Sequence, residues 1–122
     1  MENHKNQKEE KDVIFSVFCP YLKRTITLKQ STWYTKIIKG HPEVDGKQNL
    51  VCEVLSKNDP EITIYKKKDD PEKIAVFKQC QHFLPYNRYL KIALRLINND
   101  NAVVTTVHGV YNLPSTNAEK IK

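Results

Sequence analysis

The stretch from Trp33 to Glu43, WYTKIIKGHPE, decides how the rest of the chain is read. Trp33, Ile37 and Ile38 recur on one helical face, Lys36 and Lys39 lean away from it, and Gly40 is the residue type favoured just past a helix end. The segment therefore reads as an amphipathic helix over roughly residues 30–39 that delivers His41, Pro42 and Glu43 into a turn. Ser31 or Thr32 supplies the hydroxyl to cap its start, because a short side-chain oxygen accepts from first-turn amides. Trp33 is expected to anchor the core against a sheet, together with Leu55 and Ile92.

Upstream of this helix, VIFSVF from Val13 and LKRTITL from Leu22 are β-branched and alternating, which predicts two antiparallel strands joined near Pro20 and Tyr21. Downstream, KQNLVCEVLSK places Leu50, Val51, Val54 and Leu55 at the spacing of a second amphipathic helix, ended by Asp59-Pro60. The period then shifts to two. EITIYKK and KIAVFKQ read as a hairpin around Asp69-Asp70-Pro71. In YLKIALRLI, Leu90, Ile92, Leu94 and Leu96 alternate with Tyr89, Lys91, Ala93 and Arg95, a strand pattern, although residues 88–97 also have helical length. The Asn98–Asn101 turn leads to a last strand, AVVTTVH.

Residues 1–11 carry nothing apolar after Met1 and are expected to be a mobile tail; residues 114–122 are polar and expected to fray. One domain over residues 12–113 follows. Its fold class is α+β: two helices, after an initial β-hairpin, packed on one face of an antiparallel meander sheet. The other face then stays open and carries Tyr65, Lys67, Lys91 and Arg95 by parity.

The chain has 122 residues, 39% of them hydrophobic, and twenty Lys plus Arg against fourteen Asp plus Glu give a charge of +6. Such an excess gathered on one face attracts polyanions, and RNA is the first partner to expect. Cys19, Cys52 and Cys80 are odd in number and widely spaced, so no disulfide framework follows. Cys80 and His82 lie two apart, but no second pair has ligand spacing, so neither a metal nor another cofactor is expected. Neither a signal-like h-region nor an apolar run of membrane-spanning length is present, which points to a cytoplasmic protein without a membrane partner.

Five segments, LKQSTWYTKIIKGHPEV, the helix ending LSKNDPEI, then YKK, YLKIALRLI and VVTTV, resemble the phage and mobile-element domains of the barnase, EndoU, colicin and RelE group. The likeness spans about residues 22–108, and the HPE turn after an aromatic and isoleucine helix is its most specific part. The resemblance implies a RelE/barnase-like fold and a metal-independent ribonuclease, toxin or phage effector. The chain departs from the group at Lys36, near which members often carry a histidine, and in the insertion HFLPYN.

Metal-free RNA cleavage needs a base for the 2′-hydroxyl, an acid for the leaving oxygen, and cations for the phosphorane-like charge. An imidazole ordinarily titrates near neutrality, so His41 is the candidate acid or base, with Lys91 and Thr105 completing the catalytic set. Tyr65, Lys67, Arg88, Arg95 and Thr106 are the candidate substrate-binding residues. Each has a plainer reading: His41 as partner of the helix C-terminus, Glu43 as a cap of the next helix, the threonines as ordinary strand residues, and Lys67 as a solvated edge. Alternation alone leaves open which of Thr105, Thr106 and His108 faces the open side. His82 and His4 have weaker claims. The alternative function is a non-catalytic protein on the same fold that binds RNA or inhibits a host protein, and the positive charge also suits an acidic, antitoxin-like inhibitor as partner.

Overall fold

A computed structural model describes residues 12–80 and 87–122. The expectations for the tail over residues 1–11, with His4, and for His82 and its neighbours through residue 86 lie outside them. Strands β1 (Val13–Cys19) and β2 (Arg24–Lys29) form the expected hairpin, with Val17 opposite Ile26. Its turn closes through the Lys23 amide, which donates to the Cys19 carbonyl at 2.8 Å.

The first helix, α1, spans residues 30–40 and has a π turn, Trp33–Ile37, between α-helical turns Gln30–Thr32 and Ile38–Gly40. The Ile38 amide bonds the Trp33 carbonyl, one residue further back than in an α-helix. Trp33 and Ile37, at the two ends of the widened turn, are both fully buried. The expected hydroxyl cap is absent. Instead the Asp12 carboxylate accepts from the Ser31 amide and the Ser31 hydroxyl, each at 3.2 Å, so Ser31 donates where it was expected to accept. A carboxylate does this better, because it also meets the positive end of the helix.

A short 3₁₀ turn, Pro42–Val44, leads to α2 (Gln48–Ser56), which buries Val51, Val54 and Leu55. Strands β3 (Thr63–Lys67), β4 (Asp70–Gln79), β5 (Tyr89–Leu96) and β6 (Asn101–Val110) follow as the expected antiparallel meander. Residues 88–97 are thus resolved in favour of a strand.

Two expectations about the sheet are corrected. The sheet is mixed, in the order β1-β2-β6-β5-β4-β3-β7, because β2 lies parallel to β6. The residues after 113 also do not simply fray: Ala118–Lys120 is β7, which pairs with β3 through Tyr65–Lys120 and Lys66–Glu119. Edge pairing needs only backbone groups, so the polar composition of this segment gave no warning of it. The end of the chain is further fixed where the Ile64 amide donates to the Lys122 carbonyl at 3.0 Å. The Lys122 ammonium sits 4.7 Å from the Tyr21 ring centroid and donates to the Asp59 and Ile62 carbonyls, both at 3.3 Å. Burial, and then the charge of Asp59, push the Tyr21 phenol up to about 12. Lys78 bonds the Asp59 carboxylate and holds it below its ordinary range.

One face of the sheet carries the core. Ile26, Leu28, Ile64, Ile74, Val76, Leu90, Ile92, Leu94, Val104 and Val107 meet Trp33, Ile37, Leu55 and their neighbours from both helices. All three cysteines are free thiols, raised by burial, with Cys19 and Cys80 fully inside. No helix among the described residues is long and apolar enough to cross a membrane.

Trp33 is the largest fully buried side chain, and its indole N–H meets no acceptor among the described residues. Trp33→Ala is therefore expected to lower the unfolding free energy by about 3–5 kcal/mol. Trp33→Phe is expected to cost clearly less, because it removes a buried donor that has no partner. Urea titration followed by circular dichroism checks both, and equal losses would place the indole's contribution elsewhere.

Candidate functional site

Strand β2 pairs with β6 only over Thr25–Thr27, opposite Asn101–Val103. The π turn of α1 and the Pro42–Val44 turn then lie against β6. This arrangement brings His41 and Glu43 onto the far end of β6. The His41 amide closes the helix on the Ile37 carbonyl at 2.7 Å, but its ring does not fold back over the helix. It meets the His108 ring, with centroids 4.4 Å apart and planes tilted by 43°.

Glu43 does not cap α2. Its Oε2 accepts from the Gly109 amide at 3.1 Å and stands 3.8 Å from His41 Nδ1, so one carboxylate spans the histidine turn and the strand. A Cβ at residue 109 would collide with the Asn87 side chain, which explains glycine next to His108. Lys91 pairs across the strands with His108. The His108 imidazole is held below its ordinary value, first by burial and then by the positive charges of His41 and Lys91, with Glu43 opposing.

A bulge between Ala93 and Leu94 settles the face of each threonine. Thr106 stands opposite Ala93 and Val104 opposite Leu94, so Thr105 is the extra residue. Thr106 and His108 accordingly share the open face with Lys91, while Val107 points into the core. The Thr105 hydroxyl donates to the Ala93 carbonyl at 3.2 Å.

Beside this cluster the open face holds a cavity of about 610 Å³. Its floor includes Ala75 and Ala93, a cross-strand pair whose short side chains leave a depression. Tyr65, Lys67, Lys91, Arg95 and Thr105, named from sequence, all line it. Lys36, Lys66 and Lys73 do so too, and Pro114, Thr116, Asn117 and Ala118 form a further wall. Tyr65 meets Phe77 edge to face at 5.6 Å, and Phe77 meets Tyr89 in the same way at 6.5 Å, an aromatic row across β3, β4 and β5.

The cations of this cavity are not equivalent. Lys67 lies 3.9 Å from Asp69, Lys73 3.9 Å from Asp70, Lys66 3.7 Å from Glu119, and Arg95 3.3 Å from Glu72. Lys36 and Lys91 have no carboxylate within ion-pair distance among the described residues. Arg88 is not part of the cavity: its guanidinium lies 5.8 Å from the Tyr89 ring and 5.7 Å from the Tyr111 ring, a cation held on aromatics.

His41 and Lys91 are thus joined through His108, and five of the expected residues share a cavity. Local sequence patterns did not mark His108, Glu43 and Lys36 as strongly as the structure does. His108 shares strand parity with Thr106, which was a usable signal, but the bulge hid its relation to Lys91. Nothing local marks Lys36 as a cavity residue, because only the packing of α1 against β6 carries it there. No group of three or more His, Cys, Asp or Glu side chains among the described residues is placed to hold a metal ion. Comparison with protein-family models, with curated proteins and with solved structures finds no match to this chain.

His108 should titrate below 6.5 in the folded protein, and His41→Ala should move it upward by removing a neighbouring positive charge. Its folded value lies below its unfolded one, so the unfolded state binds more protons between the two. Its contribution to stability is fully present above about 6.5 and is lost as pH falls through that value toward the folded one. Proton NMR of the imidazoles reads the first effect. Urea titrations at neutral and mildly acidic pH read the second, and His108→Gln should flatten the difference between them.

Proposed function

We propose that this protein is a small metal-independent ribonuclease-like domain of the barnase, EndoU, colicin and RelE group, acting in the cytoplasm on RNA through its open sheet face. The observation that carries the reading is the pairing of His41 with His108, ring centroids 4.4 Å apart, beside a cavity with two cations, Lys36 and Lys91, that have no carboxylate within ion-pair distance among the described residues. Two imidazoles this close can serve the same phosphodiester, one as base and the other as acid.

The electrostatics favour one division of roles. His108, whose protonation burial and neighbouring cations disfavour, takes the proton of the ribose 2′-hydroxyl. The 2′-oxygen attacks the adjacent phosphorus, and the bond from phosphorus to the 5′-oxygen breaks. His41, oriented by Glu43, returns a proton to that leaving 5′-oxygen. The products are a 2′,3′-cyclic phosphate and a free 5′-hydroxyl. Lys91, opposite His108, offsets the charge on the non-bridging oxygens. Tyr65, Lys67 and Arg95 line the cavity, Thr106 stands opposite Ala93 on the same face, and the charge of +6 suits both RNA and an acidic inhibitor.

Incubation of the purified protein with total RNA in EDTA tests this. Cleavage should survive chelation and leave cyclic-phosphate ends. His41→Ala and His108→Ala should each slow it by about a hundredfold or more, the scale of removing one general acid or base. The acidic limb of the pH–rate profile should lie below 6.5, following His108. No cleavage by the wild type on any RNA, with binding that weakens steeply as salt rises, would leave the binding-only alternative.

A further inference from the structure

The cavity beside the two histidines has a polarity of its own. At the end formed by Lys67, Lys73 and Arg95, every cation faces Asp69, Asp70 or Glu72. Among the described residues the excess positive charge of the cavity therefore lies with Lys36 and Lys91, the latter directly across from His108. A ligand with one charged end and one flat, weakly polar end fits this asymmetry. Its anion goes to the two lysines. Its flat part lies over Ala75 and Ala93, where short side chains leave room, with the Tyr65 ring as a wall braced by Phe77.

The volume of about 610 Å³ falls within the range of small-ligand sites. The wall from Pro114 to Ala118 bounds it, and β7 holds that wall in place by pairing with β3. Thr116 and Asn117 in this wall carry hydrogen-bonding groups of both kinds for a sugar or a base edge. An extended groove would present repeated cations along its length. This cavity has room and uncompensated charge for a single phosphate-bearing unit.

We propose that the cavity is a subsite for one nucleoside monophosphate unit, with the phosphate held by Lys36 and Lys91 and the base laid on Ala75 and Ala93 against Tyr65. The proposal rests on reading the open face as a nucleic-acid surface, but not on cleavage. Lys36 becomes a phosphate-binding residue contributed by the helix, and the phosphate it holds lies next to His108. The same chemistry is offered by a free nucleotide and by one unit of an RNA strand.

The test is titration of the full chain with adenosine 3′-monophosphate, uridine 3′-monophosphate, the two nucleosides and inorganic phosphate, observed by NMR at the methyl groups of Ala75 and Ala93. The monophosphates should shift both methyls and bind at least tenfold more tightly than the matching nucleosides. Lys36→Ala should weaken that binding about tenfold, whereas Lys57→Ala, at the exposed residue that ends α2 beside Glu53, should leave it unchanged. A short oligoribonucleotide that displaces the monophosphate supports an RNA unit as the occupant, and one that does not displace it supports a free nucleotide. Equal binding of nucleoside and monophosphate, shifts that avoid Ala75 and Ala93, or unaltered binding by Lys36→Ala would overturn the subsite.

The two readings fail differently. RNA cleaved at equal rates by the wild type and Lys36→Ala, with no monophosphate binding, removes the subsite and leaves the ribonuclease reading standing. Monophosphate bound in the cavity by a protein that cleaves no RNA does the reverse.

Discussion

The burial of Trp33 and Ile37 against the sheet is the contact on which the other arrangements depend. Both side chains are fully excluded from water, and together they fix the rotation of α1 about its axis. Because β2 leaves β6 after three paired residues, α1 can lie against the strand that β2 no longer covers. The π turn between Trp33 and Ile37 is part of the same fit. An α-helix advances about 100° per residue, whereas the wider turn delays that advance by one residue and changes where the next side chains point. Lys36 emerges within that turn and reaches the cavity rim, and the helix end delivers His41 to His108.

Electrostatics then divide the open face into regions of different character. Around Asp70 the cations are neutralised in pairs and at a network formed by Lys73, Arg95 and Glu72. Such exposed pairs contribute little to stability, but they remove local charge. Around His108 positive charge is less fully offset, since burial and then His41 and Lys91 disfavour its protonation while Glu43 opposes them. The result is an imidazole that resists protonation, across the strands from Lys91, which has no carboxylate within ion-pair distance among the described residues. Glu43 has a mechanical part as well, because its bond to the Gly109 amide ties the histidine turn to the strand that carries His108.

The C-terminal segment gives the face its depth. Without β7 and the residues before it, Ala75 and Ala93 would form a shallow floor open on one side. The segment is held by backbone pairing with β3 and by Lys122, whose ammonium reaches two carbonyls and the Tyr21 ring. Its polar side chains and its structural role are compatible, since an edge strand needs hydrogen-bonding backbone more than apolar side chains.

The local patterns of the sequence determined both helices, the first hairpin, the four-strand meander and the identity of the buried face, because each depends on apolar periodicity within one segment. Parity alone correctly placed Tyr65, Lys91 and Arg95 on the side away from the core. Tertiary structure decided everything that depends on one segment meeting another. The parallel docking of β2 on β6 and the pairing of β7 with β3 are contacts between segments distant in the chain, encoded by no single period. The bulge at Thr105 breaks the alternation from which its face would be read, and so hid the relation of His108 to Lys91. Arg88 lies on two aromatic rings outside the cavity, and Lys36 reaches the cavity because α1 packs against β6. Residue types specify which chemistry is available, whereas the distance from His41 to His108 exists only once a helix and a strand far apart in the chain are packed together.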